Sequence, residues 1–256
     1  MLETAIRAAR EAGRVLVEQY QRPHEVRVKG FRDIATEADF AAEKVALDVI
    51  REGCPDARFV SEESFATQPV STQAPTWYVD PLDGTTNFAR GLPLFSVSVA
   101  MAQGGQVQVG AVYDPLLDQL FYAERGQGAY LNGERLRVSE RQELINSLVL
   151  LDWPRAQEPR RIEVEYLARL APQVDAIRSR GSAALGFCSV AAGWVEAYFQ
   201  YTLGPWDVAA GWLILEEAGG KATDLRGERA DLTKPDWLAT NGLIHEAMLA
   251  VQPFGR

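Results

Sequence analysis

The strongest constraint on this chain lies in residues 77–88, which read WYVDPLDGTTNF. The apolar start predicts a buried strand, which must end near Pro81 because proline cannot continue a central strand. Asp80 and Asp83 flank the break, and Gly84-Thr85 favours the start of a helix. Carboxylates bind hard metal ions, and a helix start offers free N–H groups to a phosphate. The segment therefore predicts a metal-dependent phosphate-ester site, although Asp83 taken alone also fits a helix-capping turn.

The composition fits a globular enzyme. The chain has 256 residues, of which 47% are apolar and 24% charged, enough for one large domain or two closely packed ones. Its formal charge of −9 argues against general nucleic-acid binding, which requires a basic face. An acidic surface also repels a phosphate ester, so the proposed site needs bound divalent cations to reverse the charge locally.

The few cysteines and histidines exclude several kinds of site. Cys54 and Cys188 form neither a disulfide framework nor a zinc spacing, so we expect buried thiols in a reducing compartment, with a single pairing left open. His24 and His245, which we place at the surface, are too few for a histidine-rich zinc site. The sequence shows no apolar signal region and no membrane-length apolar run. We therefore expect a cytoplasmic protein.

Hydrophobic periodicity predicts helices over residues 2–21 and 36–52, the second with Phe40, Val45, Leu47 and Ile50 facing inward. We interpret Trp194, Tyr198 and Phe199 as core residues. Strand patterns follow at 58–61, 77–80, 96–102, 107–113, 119–123 and 129–138, which predicts an antiparallel meander. From residue 147 strands and helices alternate, which predicts a mixed or mostly parallel sheet. The change of pattern divides the chain into an N-terminal α+β domain, 1–140, and a C-terminal α/β domain, 141–256.

Further acidic residues can complete the cluster, and each also has a structural interpretation. Glu62 and Glu63 follow a short apolar run, where solvated acids are the commoner outcome, and a strand's alternating faces allow only one of them into the site. Asp39 stands three residues after Thr36 in a capping-box pattern. Asp207 stands at a helix start, where an acid favours the helix dipole.

Several of these segments together resemble the inositol monophosphatase family of magnesium-dependent, lithium-sensitive phosphatases. The matching segments are KGFRDIATEAD at 29–39, SEES at 61–64, VDPLDGTTNF at 79–88, RGSAA at 180–184 and PWDVAAG at 205–211. They cover nearly the whole chain in the family's order. The resemblance implies a layered αβαβα sandwich with an N-terminal antiparallel sheet and a C-terminal mixed, mostly parallel sheet.

The resemblance also implies metal ligands at matching positions. Glu62, Asp80 and the backbone carbonyl of Leu82 correspond to ligands of a first Mg²⁺ ion. Asp80, Asp83 and Asp207 correspond to ligands of a second, and Glu62 also helps to hold a third, looser ion. Oxygen ligands of this kind select Mg²⁺ over zinc.

The phosphate and the attacking water are assigned in the same way. The N–H groups of Gly84 and Thr85 correspond to the phosphate site, while the Thr85 hydroxyl and Asp39 position and deprotonate the water. Lys29 either brings positive charge to an anion or is solvated. Inositol-specific relatives usually carry Glu seven residues before the last metal Asp, where this chain has Gln200, which lacks charge assistance toward a hydroxyl. Ser61 replaces a common Gly, a change that we expect to be minor.

The sequence thus predicts a Mg²⁺-dependent phosphatase, with two or three ions, that acts on a small polyol or sugar monophosphate such as inositol-1-phosphate. One alternative is a fructose-1,6-bisphosphatase or a bifunctional enzyme. Another is a non-catalytic protein of the same fold that binds a macromolecular partner, because some bacterial relatives are associated with transcription. We expect a homodimer with no nucleic-acid or membrane partner.

Overall fold

The structure is a computed structural model that describes residues 1–64 and 74–253. In these ranges the helices are α1 (Leu2–Gln19), α2 (Glu37–Gly53), α3 (Thr85–Ala89), α4 (Gln157–Leu170), α5 (Ala183–Ala191), α6 (Pro205–Glu217) and α7 (His245–Val251). The strands are β1 (Arg27–Gly30), β2 (Asp33–Ala35), β3 (Arg58–Ser61), β4 (Thr76–Asp83), β5 (Ser96–Gln103), β6 (Gln106–Asp114), β7 (Gln119–Glu124), β8 (Gly128–Leu131), β9 (Glu134–Arg135), β10 (Leu148–Leu151), β11 (Ala176–Ser179), β12 (Ala197–Gln200), β13 (Lys221–Thr223) and β14 (Trp237–Thr240).

The first sheet has seven strands in the order β3-β4-β5-β6-β7-β8-β9. From β4 to β9 the neighbours pair antiparallel, which confirms the predicted meander for these strands. β3 lies parallel to β4, so the antiparallel prediction is wrong for the strand at 58–61. Helices α1 and α2 pack on one face of this sheet, and α5 and α6 pack on the other. Strands β1 and β2 form a separate antiparallel hairpin.

The second sheet has five strands in the order β11-β10-β12-β14-β13. It is mixed, since β10 pairs parallel with β11 and β12, whereas β14 pairs antiparallel with β12 and β13. Its inner face packs on α5 and α6, and its outer face packs on α4 and α7. The layers therefore follow the expected αβαβα order. Buried residues from both halves share the core around α5 and α6, and the division near residue 140 stays a prediction.

Helix α6 lies between the two sheets, and its sequence shows why it can do so. Residues 208–215 of this helix are all buried, as expected for a helix that is apolar on every side. Close packing against β6 depends on Gly110, because a Cβ there would lie 2.9 Å from the Cα of Ala210. At the N-terminal end of α6, the Trp206 carbonyl accepts the hydroxyl of Ser98, which lies on β5 opposite Asp80, so this end of the helix is near the end of β4.

Two predicted core residues are exposed. On α2, Leu47 and Ile50 are buried as predicted, but Phe40 is 36% exposed and lies under the Arg27 guanidinium, 5.2 Å from ring centroid to Cζ. The inward face of the helix is built from small residues instead, mainly alanines 38, 42 and 46. Trp194 is 45% exposed, whereas its predicted partners Tyr198 and Phe199 are fully buried.

The prediction of surface histidines is also wrong. His245 is fully buried between the hydroxyl groups of Thr223 and Thr240, at 3.0 and 2.9 Å from its ring nitrogens. The His24 side chain is only 4% exposed and lies 3.1 Å from a Glu37 carboxylate oxygen.

Both cysteines are free, with Cys188 buried as expected and Cys54 partly exposed. Among the helices of the described ranges, none is both long enough and apolar enough to span a membrane.

Candidate active site

The acidic cluster begins at the end of β4, where the strand is irregular. Asp80 lies opposite Ser98 on β5, and Asp83 lies opposite Ser96, so three steps along β4 match two steps along its neighbour. In a regular strand, residues three apart point to opposite faces. The bulge around Pro81 removes that difference, and both carboxylates line the same cavity.

This cavity has a volume of about 340 Å³ and collects most of the predicted site residues. Those on its walls are Glu62, Asp80, Leu82, Asp83, Gly84, Thr85, Gln200 and Asp207. The other two candidates lie one contact away, since Asp39 bonds to Thr85 and Lys29 bonds to Glu62. Residues separated by more than 140 positions in the chain therefore meet at one site.

Asp39 combines the capping role with a position at the site. Its Oδ2 accepts hydrogen bonds from the Thr36 N–H at 2.7 Å and the Thr36 hydroxyl at 2.6 Å, which is the predicted capping box. Its Oδ1 faces the Thr85 hydroxyl at 3.0 Å. That hydroxyl also lies 3.1 Å from the Leu82 carbonyl oxygen. Burial raises the pKa of Asp39, and the hydrogen bonds from Thr36 and Thr85 oppose the rise.

Asp83 does not cap the helix that directly follows it. Its carboxylate instead accepts hydrogen bonds at the start of α5, from the Ser182 hydroxyl at 2.6 Å, Ala184 N–H at 2.7 Å and Ala183 N–H at 3.2 Å. Burial raises the pKa of Asp83 to about 7 despite these donors. Asp83 therefore does not form the local capping turn; its carboxylate binds backbone about a hundred residues later in the chain.

The carboxyl groups of Asp80 and Asp207 interact, so that each changes the pKa of the other. Burial, followed by the charges of Glu62, Asp83 and Asp207, raises the pKa of Asp80 well above its usual range. Loss of solvation and the charges of Glu62 and Asp83 raise the pKa of Asp207 to about 7. The second Asp207 contact is structural, because its Oδ2 accepts the Gly204 N–H at 2.7 Å.

Glu62 and Glu63 are not solvated acids. Their side chains are only 7% and 1% exposed, and the Lys29 ammonium lies 2.9 Å from Glu62 and 2.6 Å from Glu63. Burial raises the pKa of Glu63 to about 7. Lys29 is thus bound to acids rather than free in solvent, and the Arg155 guanidinium adds a second cation 3.8 Å from Glu62.

The donor set fits a hard divalent cation. Within residues 1–64 and 74–253, no three acidic, thiol or imidazole side chains are close enough together to bind one metal ion. Glu62 is paired with Lys29, and Asp83 is hydrogen-bonded to the start of α5. However, five carboxylates line a single cavity together with Leu82, and burial, followed by repulsion between neighbouring acids, raises the pKa values of Asp80, Asp83 and Asp207. Oxygen donors of this chemistry suit Mg²⁺.

Sequence reasoning missed two carboxylates near the site. Asp152 directly follows the apolar strand β10, just as Asp80 follows the apolar part of β4. This shared pattern could have identified Asp152 as a candidate site residue from the sequence. It lines the cavity and accepts hydrogen bonds from the Ser179 hydroxyl and Arg180 N–H, each at 2.9 Å. Glu43 lies one helical turn after Asp39, a spacing that places both on one face of α2.

An αβαβα sandwich with an acid-lined cavity beside a helix start defines a class of phosphatase. The chain belongs to the inositol monophosphatase family, because residues 1–254 match the model of that family. This confirms the resemblance inferred from the motifs, and members of the family are in general magnesium-dependent.

Three similar proteins illustrate the relationship. A Pasteurella multocida protein named Nus factor SuhB is 40% identical over 258 residues, with 99% of this chain and 96% of the relative covered. A Thermotoga maritima protein named fructose-1,6-bisphosphatase/inositol-1-monophosphatase is 37% identical, with 98% and 94% covered. The solved structure of extragenic suppressor protein suhB from Bartonella henselae has a TM-score of 0.93 at 36% identity, with 99% and 98% covered.

Proposed function

We propose that this chain is a Mg²⁺-dependent phosphatase that hydrolyses a small polyol or sugar monophosphate, with inositol-1-phosphate as the first candidate. One observation carries the proposal: Glu62, Asp80, Asp83 and Asp207 line the cavity that also holds the Thr85 hydroxyl. A homodimeric state, a cytoplasmic location and the absence of a nucleic-acid partner stay predictions.

The carboxylates and the Leu82 carbonyl would hold two or three Mg²⁺ ions. When bound, such ions neutralise phosphate charge and make water a better nucleophile at neutral pH. Bound cations would also offset the repulsion that helps to raise the pKa values of Asp80, Asp83 and Asp207. Because the ligands come from β3, β4 and α6 regions packed in one core, their spacing is fixed by the fold rather than by a flexible loop.

The protein's own groups would bind the phosphate and orient the water. The N–H groups of Gly84 and Thr85 stand at the start of α3, where no earlier helical carbonyl is available to them. The Thr85 hydroxyl would orient the attacking water, and Asp39 Oδ1, which accepts that hydroxyl at 3.0 Å, would take up the proton through it. Asp39 can do so while Oδ2 keeps the cap, because the two oxygens face different partners.

Gln200 shapes recognition of the remainder of the substrate. The Tyr198 hydroxyl donates to Gln200 Oε1, so the amide NH₂ is the group left to face the cavity. It can donate to a hydroxyl or phosphate oxygen but carries no charge. This supports a sugar or polyol ester without demanding inositol.

Arginines at the cavity favour a second candidate, a fructose-1,6-bisphosphatase or bifunctional enzyme. The Arg160 guanidinium lies over the Trp153 ring at 5.4 Å, and Arg32 lies over Phe31 at 4.6 Å. Arg32, Trp153 and Arg160 all line the cavity. Among residues 1–64 and 74–253, the ion pairs nearby belong to Arg155 and Arg161 rather than to Arg32 and Arg160. Arg160 Nε donates to the Pro154 carbonyl at 3.2 Å, and its charge also acts on Glu163. The remaining guanidinium donors would bind a second phosphate, which agrees with the name of the Thermotoga relative.

Phosphate release from inositol-1-phosphate, fructose 1,6-bisphosphate and a generic aryl phosphate, each with and without Mg²⁺, tests the proposal. We expect turnover only with Mg²⁺, and inhibition by lithium at millimolar concentration. The natural ester that is hydrolysed faster, inositol-1-phosphate or fructose 1,6-bisphosphate, would identify the preferred substrate. Absence of Mg²⁺-dependent turnover on all three esters would contradict the proposal. That result would favour a non-catalytic role with a macromolecular partner, as the name Nus factor suggests for the Pasteurella relative.

A further inference from the structure

A buried carboxylate that the proposed chemistry does not use lies beside the segment that carries Glu62. Glu43 on α2 is only 5% exposed. A single oxygen of this side chain, Oε2, accepts hydrogen bonds from the Ser61 hydroxyl, from Glu63 N–H at 3.0 Å and from Ser64 N–H at 3.3 Å. Three donors from four consecutive residues thus converge on one acceptor.

These contacts hold the backbone on both sides of Glu62. Ser61 precedes it, and Glu63 and Ser64 follow it. The Glu62 N–H itself donates to the Val79 carbonyl of β4 at 3.2 Å, which ties the segment to the strand that bears Asp80. The main chain at Glu62 is therefore fixed by contacts that do not involve the Glu62 carboxylate, which lines the cavity and pairs with Lys29.

Helix α2 also links this segment to the other side of the site. Asp39 and Glu43 are four residues apart, so they lie on the same face of the helix. Asp39 contacts Thr85 at the start of α3, while Glu43 holds the end of β3. One rigid helix thereby sets the position of Glu62 relative to the Asp39–Thr85 pair.

We propose that Glu43 and Ser61 form a clamp that positions Glu62 for cation binding, an inference that rests on the proposed function of the site. Glu43 is a positioning residue, because it acts through the backbone of residues 61–64 rather than on the substrate. Ser61 contributes the side-chain donor of the clamp, because its hydroxyl donates to Glu43 Oε2.

The probe for this clamp is Mn²⁺ alone, with free Mn²⁺ followed by electron paramagnetic resonance on the full chain. Changes to groups that orient metal ligands typically weaken metal affinity by about 10- to 100-fold. We expect Glu43→Gln to raise the dissociation constant about tenfold. We expect Ser61→Ala, which removes one hydrogen bond, to raise it about threefold.

The matched control is Glu52→Gln. Glu52 is on the same helix and loses the same charge, but its side chain is 69% exposed and pairs with Arg7 away from the cavity. This variant should bind Mn²⁺ like the unmodified protein. Amide exchange of Glu63 and Ser64 in EDTA gives a second readout, and both amides should exchange faster in Glu43→Gln but not in Glu52→Gln.

The outcomes separate the clamp from the proposed function. If the unmodified chain binds Mn²⁺ and both clamp variants bind it equally well, with unchanged amide exchange, the clamp is overturned and the metal site stands. If the unmodified chain binds no Mn²⁺, the proposed function fails, and the clamp fails with it. Should Glu43→Gln not fold, Ser61→Ala decides, since unchanged affinity in that folded variant overturns the clamp.

Discussion

Asp207→Asn should stabilise the metal-free protein, although it removes a predicted ligand. Asp207 carries a pKa raised from its ordinary value of 3.8 to about 7 by loss of solvation and by neighbouring carboxylates. A rise of this size lowers the unfolding free energy of the metal-free protein by about 4 kcal/mol at pH 8. Asp207 keeps some exposure to the cavity, and solvent screening reduces that figure, so we expect a gain of about 1–3 kcal/mol.

The gain in stability from Asp207→Asn depends on pH. Because the folded-state pKa lies above the unfolded value, the folded protein binds more protons between pH 3.8 and about 7. Stability of the unmodified chain in EDTA therefore falls as pH rises through this window. The asparagine side chain of the variant does not titrate, and its amide oxygen can still accept the Gly204 N–H. The advantage of the variant therefore shrinks as pH falls from about 8 towards about 4.

The assay is thermal or urea unfolding in EDTA at pH 8, repeated with Mg²⁺. For a chain of this size the gain corresponds to an increase of roughly 3–10 °C in Tm. Added Mg²⁺ should stabilise the unmodified chain and have little effect on the variant, because binding to the folded state alone raises its stability. A merely structural Asp207 would instead lose about 1 kcal/mol in EDTA on substitution, as helix-start acids do. That opposite sign would refute the reasoning.

Three further predictions address other parts of the site. Thr85→Ala removes the hydroxyl that faces Asp39, so turnover should fall about 100-fold while Mn²⁺ binding, followed in parallel, is retained. Glu163 is fully buried without a hydrogen-bond partner among the described residues, and burial raises its pKa to about 8. The unmodified chain should therefore lose stability as the pH rises from 4.5 to 8. Urea unfolding should show that Glu163→Gln does not lose this stability and is more stable than the unmodified chain at about pH 9. Arg160→Gln should lower kcat/KM about tenfold for fructose 1,6-bisphosphate and leave kcat/KM for inositol-1-phosphate unchanged. The exposed neighbour gives the control, Arg161→Gln. Equal effects on both substrates would contradict a second-phosphate role.

Local patterns predicted the elements of the fold because their signals lie within a few residues. The capping box of Asp39 with Thr36 follows from a three-residue spacing, and the structure confirms it. The meander follows from strand-length apolar runs separated by turn residues, and the mixed second sheet follows from alternation of strands and helices. The family resemblance added the layer order, which periodicity alone does not determine.

The geometry of the site depended on contacts that local patterns do not contain. The bulge that brings Asp80 and Asp83 to one cavity exists only in the pairing of β4 with β5. The donors to Asp83 come from the start of α5, about a hundred residues later. Burial of Glu63 likewise depends on Lys29 in the β1–β2 hairpin.

Helix α6 ends in two acids, and tertiary contacts explain how they are accommodated. The Glu217 carboxylate accepts hydrogen bonds from Gly126 N–H, in the turn after β7, and from Gly128 N–H, at the start of β8, each at 2.7 Å. Glu216 pairs with Arg125 at 3.2 Å. These donors offset the unfavourable position of the acids at a helix C-terminus. The surface prediction for His245 failed for a related reason, since the hydroxyls of Thr240, five residues away, and Thr223, 22 residues away, satisfy its buried ring.

The most direct test of a metal-binding carboxylate cluster is anomalous diffraction from crystals soaked in Mn²⁺. The account predicts at least one strong anomalous peak in contact with the Asp80 carboxylate, with oxygens of Glu62 or Asp207 completing the ligand shell. Crystals that show no peak within the cavity, or peaks only at surface acids, would contradict it.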